Sequence, residues 1–550
     1  MRILGVNAIF HDPSAALVVD GSIVAAAEEE RFSRRKHGKR PVPFSAWELP
    51  EQAARWCLER GGITAADLDG VAYSFDPALS RPADQLGLDD PWDHLRIDYA
   101  RSAPGFLSTA LPGLDPSRVA YVPHHVAHAA SAGLAGPYRD CDVLVLDGRG
   151  EASSHLAGRY DDGVLTPLAG QSLPHSLGLA YEDLTEHLGF LRSCDEYKVM
   201  ALAAYGKPRF ADLLRESLYT TGDGGFRTEP VDWASFAPSL GPGQEWISDH
   251  ADLAASLQQR LEDMLLELVG WLHVQTGGQH LVLAGGVALN CVANTRIHEQ
   301  GPYDDVWVQP AAGDAGTALG GALHLARTGA GRGGDGVEQM AGADLGREWS
   351  ETEIAGYLTT AALPFERPAD LADTVAQALA TDGIIAWFQG RSEYGPRALG
   401  HRSLLAHPGR IGNLERLNDV KGREQFRPVA PMCRIERAAE IFSRGPVPSP
   451  YMLFVHDVAQ AWRDRIPAVV HVDGTARVQT VDPAGQPLLA RMLECFEQRT
   501  GLPVVVNTSL NTAGRPMVDD PREALELFGS APVDLLAIGP FVVRRAGLAR

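Results

Sequence analysis

The sequence predicts an α/β protein of two domains, the first of them internally duplicated. Three observations carry this. A pattern of strand, polar Gly/Asp tip, strand, Asp-Gly turn and strand occurs once from Arg2 and again from Val143. Helical periodicity follows each copy. A composition shift at Thr328–Gly336 then separates these copies from a fresh α/β unit that starts at Gly383.

In the first copy Arg2–Asn7 reads as a strand, and Ala15–Val19 and Ser22–Ala27 flank Asp20-Gly21, a strong hairpin signal. In the second, Val143–Leu146 runs into Asp147-Gly148-Arg149-Gly150-Glu151, then Ser153–Gly158, the Asp161-Asp162-Gly163 turn and Val164-Leu165. Apolar spacings of three and four predict helices over Glu51–Arg60 and Asp252–Gln275. Two strand–glycine–helix units follow, Leu281–Asn290 and Val306–Gly316. The glycines of Thr328–Gly336 come after a helical pattern, not a strand, which favours a surface loop over a phosphate loop. We place the linker between residues 335 and 370, with domains at 1–350 and 351–550.

The chain has 550 residues, 45% hydrophobic and 22% charged, ordinary for a globular protein and against general disorder. Lys+Arg 49 against Asp+Glu 70 gives −21, which weighs against a nucleic-acid partner and an anionic membrane surface. Six cysteines without CxxC spacing argue against a disulfide framework or zinc ribbon. With no secretory signal and no apolar run of about 18 residues, the expected location is the cytoplasm.

Five motifs could carry chemistry. In Pro123-His124-His125-Val126-Ala127-His128, His124 and His128 share a helix face at i and i+4. With carboxylates such as Asp147 and Asp314 they suit iron, zinc or manganese; ordinary helix histidines are the alternative. The glycine tips at 147–151, 285–286 and 313–316 let backbone N–H groups approach phosphates, although no Walker motif is present. The run Glu28–Arg40 is either a solvated face or an anion site. Gly390–Ser403, followed by Lys421, Arg423, Arg427 and Arg477, is rich in arginines suited to planar oxyanions, and Asn507, Ser509 and Asn511 end a buried strand. A salt-bridged loop and a polar strand end are the plain readings of these last two.

In this order the stretches Ala26–His37, His124–Ser131, Asp147–Glu151, Tyr197–Gly206, Ala284–Asn290, Gly390–Ser403 and Val506–Asn511 resemble the antibiotic and nodulation-factor O-carbamoyltransferases. The resemblance implies a duplicated actin-like ATPase-type first domain, similar to the tRNA threonylcarbamoyl transferase. It implies a second α/β domain that binds carbamoyl phosphate, similar to threonylcarbamoyl-adenylate synthase. It further implies ATP, Mg2+ and a transition metal, Fe2+ ahead of Zn2+ or Mn2+. Carbamoyl adenylate would form from carbamoyl phosphate and ATP, and its carbamoyl group would pass to a hydroxyl of a small natural product such as an antibiotic sugar, polyketide or macrolide.

By resemblance, His124, His128, Asp147 and Asp314 are metal ligands, and His125 is not. Gly148, Gly150, Gly285, Gly286 and Asn290 contact nucleotide. Lys36, Arg397, Arg402, Lys421, Arg427, Arg477, Asn507 and Ser509 hold carbamoyl phosphate, with Lys36, Arg397 and Lys421 catalytic. His11 is the expected base for transfer, and Lys36 is expected to close the second domain's anion pocket. Asp76–Ser117 and Arg209–His250 match none of the family's patterns, so the sequence leaves the acceptor open, as it does a homodimer. Threonylcarbamoyl transfer to tRNA, an actin-fold sugar kinase and an ATP-dependent binding protein are the rival readings.

Overall fold

A computed structural model describes residues 1–37, 48–329, 338–512 and 514–545. The glycine-rich loop at 330–336, the first residues of the expected linker and the last three residues of the charge run, 38–40, lie outside the described residues. The chain divides into two compact units, Met1–Gly342 and Ala343–Arg550.

In the first unit β1 (Arg2–Asn7), β2 (Ser14–Val19), β3 (Ser22–Glu28), β4 (Gly70–Tyr73) and β5 (Val119–Tyr121) form a sheet ordered β3-β2-β1-β4-β5. The β1–β2 and β2–β3 pairs are antiparallel, and β1–β4 and β4–β5 are parallel. The second copy has β6 (Cys141–Leu146), β7 (Ser153–Asp161) and β8 (Val164–Ser172). A small ribbon intervenes, β9 (Leu218–Thr220) with β10 (Phe226–Thr228), before β11 (His280–Ala284) and β12 (Asp305–Val308). Its order, β12-β11-β6-β7-β8, and its strand directions repeat the first sheet. This is the duplicated actin-like ATPase fold.

Local chemistry explains the repeat. Each hairpin turns on an Asp-Gly pair with both residues at positive φ, 50° and 85° at Asp20-Gly21, 46° and 72° at Asp162-Gly163. That is the geometry whose twist matches the flanking strands. β1 from Ile3 onward and all of β6 are buried, so they read as near-continuous apolar runs.

The predicted helix Glu51–Arg60 is met residue for residue, and the later one extends to Ser248–Thr276. The helix Ala315–Gly329 lies between β1 and the helix His124–Gly133. A methyl on Gly5 would overlap the carbonyl oxygen of Ala318, and one on Gly320 that of Ala127. These are main-chain contacts that only glycine permits.

The charge run is not one solvated face. Glu28, Glu29 and Arg31 are buried: Arg31 pairs with Glu28 and Glu30, and Glu29 accepts the Ala53 N–H at 2.8 Å. Burying these groups is tolerable only because each is hydrogen-bonded.

In the second unit β13 (Ile385–Phe388), β14 (Arg402–Ala406) and β15 (Ala430–Arg434) open a mixed sheet. β16 (Phe442–Ser443), β17 (His456–Val458) and β18 (Thr475–Ala476) form a separate small sheet. β19 (Gln479–Val481), β20 (Val504–Ser509), β21 (Leu535–Ile538) and β22 (Phe541–Arg544) complete the main one, ordered β19-β15-β20-β14-β13-β21-β22. Its core holds Trp387, Phe388, Leu405, Phe496 and Val504–Val506. All six cysteines are free, and no helix among the described residues is long and apolar enough to cross a membrane.

Candidate active site

The helix His124–Gly133 places His124 and His128 on one face, as i,i+4 spacing requires. Asp147 follows the end of β6, and Asp314 precedes the helix Ala315–Gly329. Their ligand atoms all lie within 4.8 Å of one another, and all four residues are buried. His124 Nε2 is 3.3 Å from Asp147 Oδ2 and 3.5 Å from Asp314 Oδ1; His128 Nε2 is 3.7 and 3.4 Å from the same oxygens.

Neighbours fix three of the four donors. His124 Nδ1 meets the Ser74 carbonyl at 3.1 Å. Asp147 Oδ1 accepts the Gly286 N–H at 3.0 Å, and Asp314 Oδ2 accepts the His11 N–H at 3.1 Å. Burial opposes charge on the two imidazoles, but Asp147 and Asp314 outweigh it and raise both pKa values. Burial likewise opposes ionisation of Asp147, and His124 and His128 overcome it to hold that carboxyl well below its usual range. His128 Nε2 meets only the two carboxylates, and its buried Nδ1 has no hydrogen-bond partner. Two imidazoles and two carboxylates aimed at one point fit a divalent first-row ion. His125 points elsewhere, its Nδ1 2.9 Å from Ser153 Oγ, and burial lowers its pKa.

The three glycine tips meet here. Gly286 reaches Asp147 through its N–H, and the Gly285 N–H donates to Ala312 O at 2.8 Å, just before Asp314. Gly285 has φ 90°, and a methyl on it would overlap the Leu146 carbonyl. Gly148 lies against Gly178, and Gly150 against the His125 ring. Asn290 is already engaged: its Oδ1 accepts the Ala293 N–H and its Nδ2 donates to Gln258 Oε1, so it caps the helix Cys291–Gln300.

Beside this centre His11 Nδ1 lies 2.8 Å from Asp12 Oδ2, and His37 Nδ1 lies 2.9 Å from Asp12 Oδ1. Cys194 is close to both histidines. Sequence reasoning singled out His11 but not Asp12, His37 or Cys194. Lys36 is half-buried in the turn preceding His37.

In the second unit Glu393, also missed, organises the arginine-rich loop. Its buried Oε1 accepts the N–H groups of Leu399, His401 and Arg402 at 2.7, 2.9 and 3.2 Å. Arg402 is buried, stacked at 3.7 Å over Phe388, and donates to the carbonyls of Gln389, Gly390, His401 and Arg347. Asn507 Nδ2 donates to Ala398 O at 3.1 Å and Gln479 Oε1 at 2.7 Å, leaving its buried Oδ1 without a partner. Lys421 Nζ donates to Ser509 O and Oγ at 2.6 and 2.9 Å, and to Asn511 Oδ1.

The structure thus draws Lys421, Ser509 and Asn511 together at the end of β20, with Asn507 on the same strand tied to the loop. Arg397 and Arg477 are half-buried, the latter with no partner for Nε, and Arg427 pairs with Glu424.

Two family models match the chain: the carbamoyltransferase N-terminus over residues 2–80 and 107–323, and the carbamoyltransferase C-terminus over residues 376–545. Nodulation protein NolNO of Sinorhizobium fredii is 35% identical over 98% of this chain and 80% of its own length. Nodulation protein U of Rhizobium tropici is 37% identical over 96% and 93%. An uncharacterized protein of Synechocystis is 34% identical over 99% and 97%. Solved structures that overlay part of the chain include HypF of T. kodakarensis, 15% identical over 60% of this chain and 48% of that one, with a TM-score of 0.32. At that score it bears no weight, and the fold assignment rests on strand order. With the two models spanning most of both units, the chain belongs to the carbamoyltransferase family and is a carbamoyltransferase.

Proposed function

We propose that this carbamoyltransferase makes carbamoyl adenylate from carbamoyl phosphate and ATP and carbamoylates a hydroxyl of a small natural product. The observation that carries the reading is the convergence of His124, His128, Asp147 and Asp314 on the junction of three glycine tips in a duplicated actin-like fold. Those four side chains would hold a divalent transition metal, Fe2+ ahead of Zn2+ or Mn2+, which when bound supplies fixed positive charge for phosphate oxygens. Mg2+ enters with ATP.

The glycine tips at Gly148, Gly150 and Gly285, which carry no Cβ, would let the nucleotide phosphates come close to the main chain. In the second unit Arg397, Lys421, Arg427, Arg477 and Ser509 would hold carbamoyl phosphate, while Arg402 and Asn507 shape the loop around it. A water molecule cleaves carbamoyl phosphate, and its oxygen ends on one of the two products, carbamate and phosphate. A carbamate oxygen attacks the α-phosphorus of ATP, and pyrophosphate departs. The acceptor hydroxyl then attacks the carbamoyl carbon, losing its proton as AMP leaves. Carbamate decomposes in bulk water, so solvent must be excluded once it has formed.

The test needs no acceptor. Protein, ATP and Mg2+ are incubated with and without carbamoyl phosphate, and the products are read by mass spectrometry. Carbamoyl adenylate and pyrophosphate that appear only with carbamoyl phosphate support the reading. ADP as the nucleotide product, or no product after metal is restored, refutes it.

A further inference from the structure

Three side chains from distant parts of the chain, His11, His37 and Cys194, place one imidazole nitrogen each and a sulfur within 4.8 Å of one another. The arrangement is built in depth. A single carboxylate, Asp12, takes the Nδ1 atoms of both histidines, at 2.8 and 2.9 Å on its two oxygens. This fixes both rings and turns their Nε2 atoms away from Asp12, and both Nε2 atoms are buried with no nitrogen or oxygen partner. The ring centroids are 4.4 Å apart.

A carboxylate behind each imidazole is how metal-ligating histidines are commonly oriented. The backbone is bent to deliver these groups. Asp12 sits at φ 44° and Ser193, the residue before the sulfur, at φ 57°. Asn7 Nδ2 locks the first turn by donating to the carbonyls of His11 and Asp12. Non-glycine residues in that region cost energy and persist where surroundings over-determine them.

We infer that His11, His37 and Cys194 form a second metal site, distinct from the His/Asp quartet and suited to Zn2+. Two imidazoles and a thiolate are a borderline-soft set, unlike the nitrogen and oxygen donors of the quartet. Three protein ligands leave one tetrahedral position for water or the hydroxyl of a small molecule.

The other five cysteines are buried, and none joins such a cluster among the described residues. The two sites communicate through one bond, because the His11 N–H donates to Asp314 of the quartet. Ligation would occupy His11 Nε2, the atom that a free transfer base would use.

The test reads metal, not turnover, so it stands or falls independently of the ATP and carbamoyl phosphate chemistry. Full-length protein is stripped with chelator, loaded with Co2+ and freed of excess. Cobalt per chain and the near-ultraviolet thiolate-to-cobalt charge-transfer band are then recorded. The wild type should show the band. Cys194→Ser should lose both the band and one equivalent of cobalt while keeping its far-ultraviolet dichroism. His128→Ala, which disrupts the quartet, should keep the band.

Absence of the band from cobalt-loaded wild type overturns the proposal and leaves the cluster as a thiolate held by two protonated histidines. A band undiminished in Cys194→Ser overturns it as well.

Discussion

Glu182→Gln should change how the Met1–Gly342 unit responds to pH. Glu182 lies on the helix Leu177–His187, its carboxylate beneath Gly148 of the first glycine tip. Its Oε2 accepts Arg192 Nε at 3.0 Å and Ser193 Oγ at 2.9 Å. Burial first, then the Glu196 carboxylate, push its pKa from 4.5 up to about 7, against the pull of Arg192 and Ser193. At about 1.4 kcal/mol per pKa unit, that rise corresponds to about 3 kcal/mol.

Between these two pKa values the native state keeps a proton that the unfolded chain has released. The stability is therefore fully present below pH 4.5 and is lost as pH rises through 7. Glutamine stays neutral and can accept the same two hydrogen bonds. The lost Arg192 ion pair costs less than about 1 kcal/mol, because Arg192 is partly exposed and retains Asp183 and Glu186. Urea unfolding of the two proteins should nearly coincide at pH 5. At pH 8 the variant should be the more stable by about 2–3 kcal/mol. An equal difference at both pH values would refute the reasoning.

Three further outcomes are expected. His128→Ala should lose the quartet's metal by elemental analysis and cut carbamoyl transfer by more than the roughly 10–100-fold typical of a ligand's supporting residue; full metal content in the variant would contradict the quartet as a site. Gly320→Ala forces a methyl onto the Ala127 carbonyl, so thermal unfolding should show a loss of about 1–3 kcal/mol, and an unchanged midpoint would mean that the helices separate freely. Lys421→Met strips the carbonyl of Ser509 and the amide of Asn511 of a buried donor; it should cost about 1–3 kcal/mol and raise the KM for carbamoyl phosphate, whereas an unchanged KM would remove Lys421 from the anion pocket.

Much of the fold could be read from local chemistry. Asp20-Gly21 and Asp162-Gly163 announced their hairpins because only a few residue pairs adopt that turn, and the apolar runs of β1 and β6 marked strands buried on both faces. The quartet was legible for two reasons. The i,i+4 spacing of His124 and His128 follows from helix geometry, and Asp147 and Asp314 each flank a glycine tip.

What the sequence hid was long-range or already spoken for. Nothing near Cys194 signals His11 or His37, because their proximity is made by the whole unit. Arg402 looks like an anion ligand in sequence, and the fold also gives its Nη1 and Nη2 four backbone carbonyls to hold. Asn290 looks like a nucleotide contact, and the fold also makes it a helix cap. The glutamates of the charge run look solvated, but the interior supplies their partners. Residue type reveals what a side chain can bind, and only the fold reveals which partner reached it first.

The helix Ala315–Gly329 meets its neighbours main chain to main chain, at Gly5 on one side and at Gly320 on the other. With no side-chain padding at either contact, it cannot slide or tilt without collision. Asp314 at its head is therefore held at a set spacing from the histidines of the adjoining helix. As the proposed metal site, a donor box of that stiffness would sort ions by radius. Calcium, which gathers roughly six to eight oxygens from yielding loops, would find too few donors and no give. A small ion content with four would lose nothing by the rigidity.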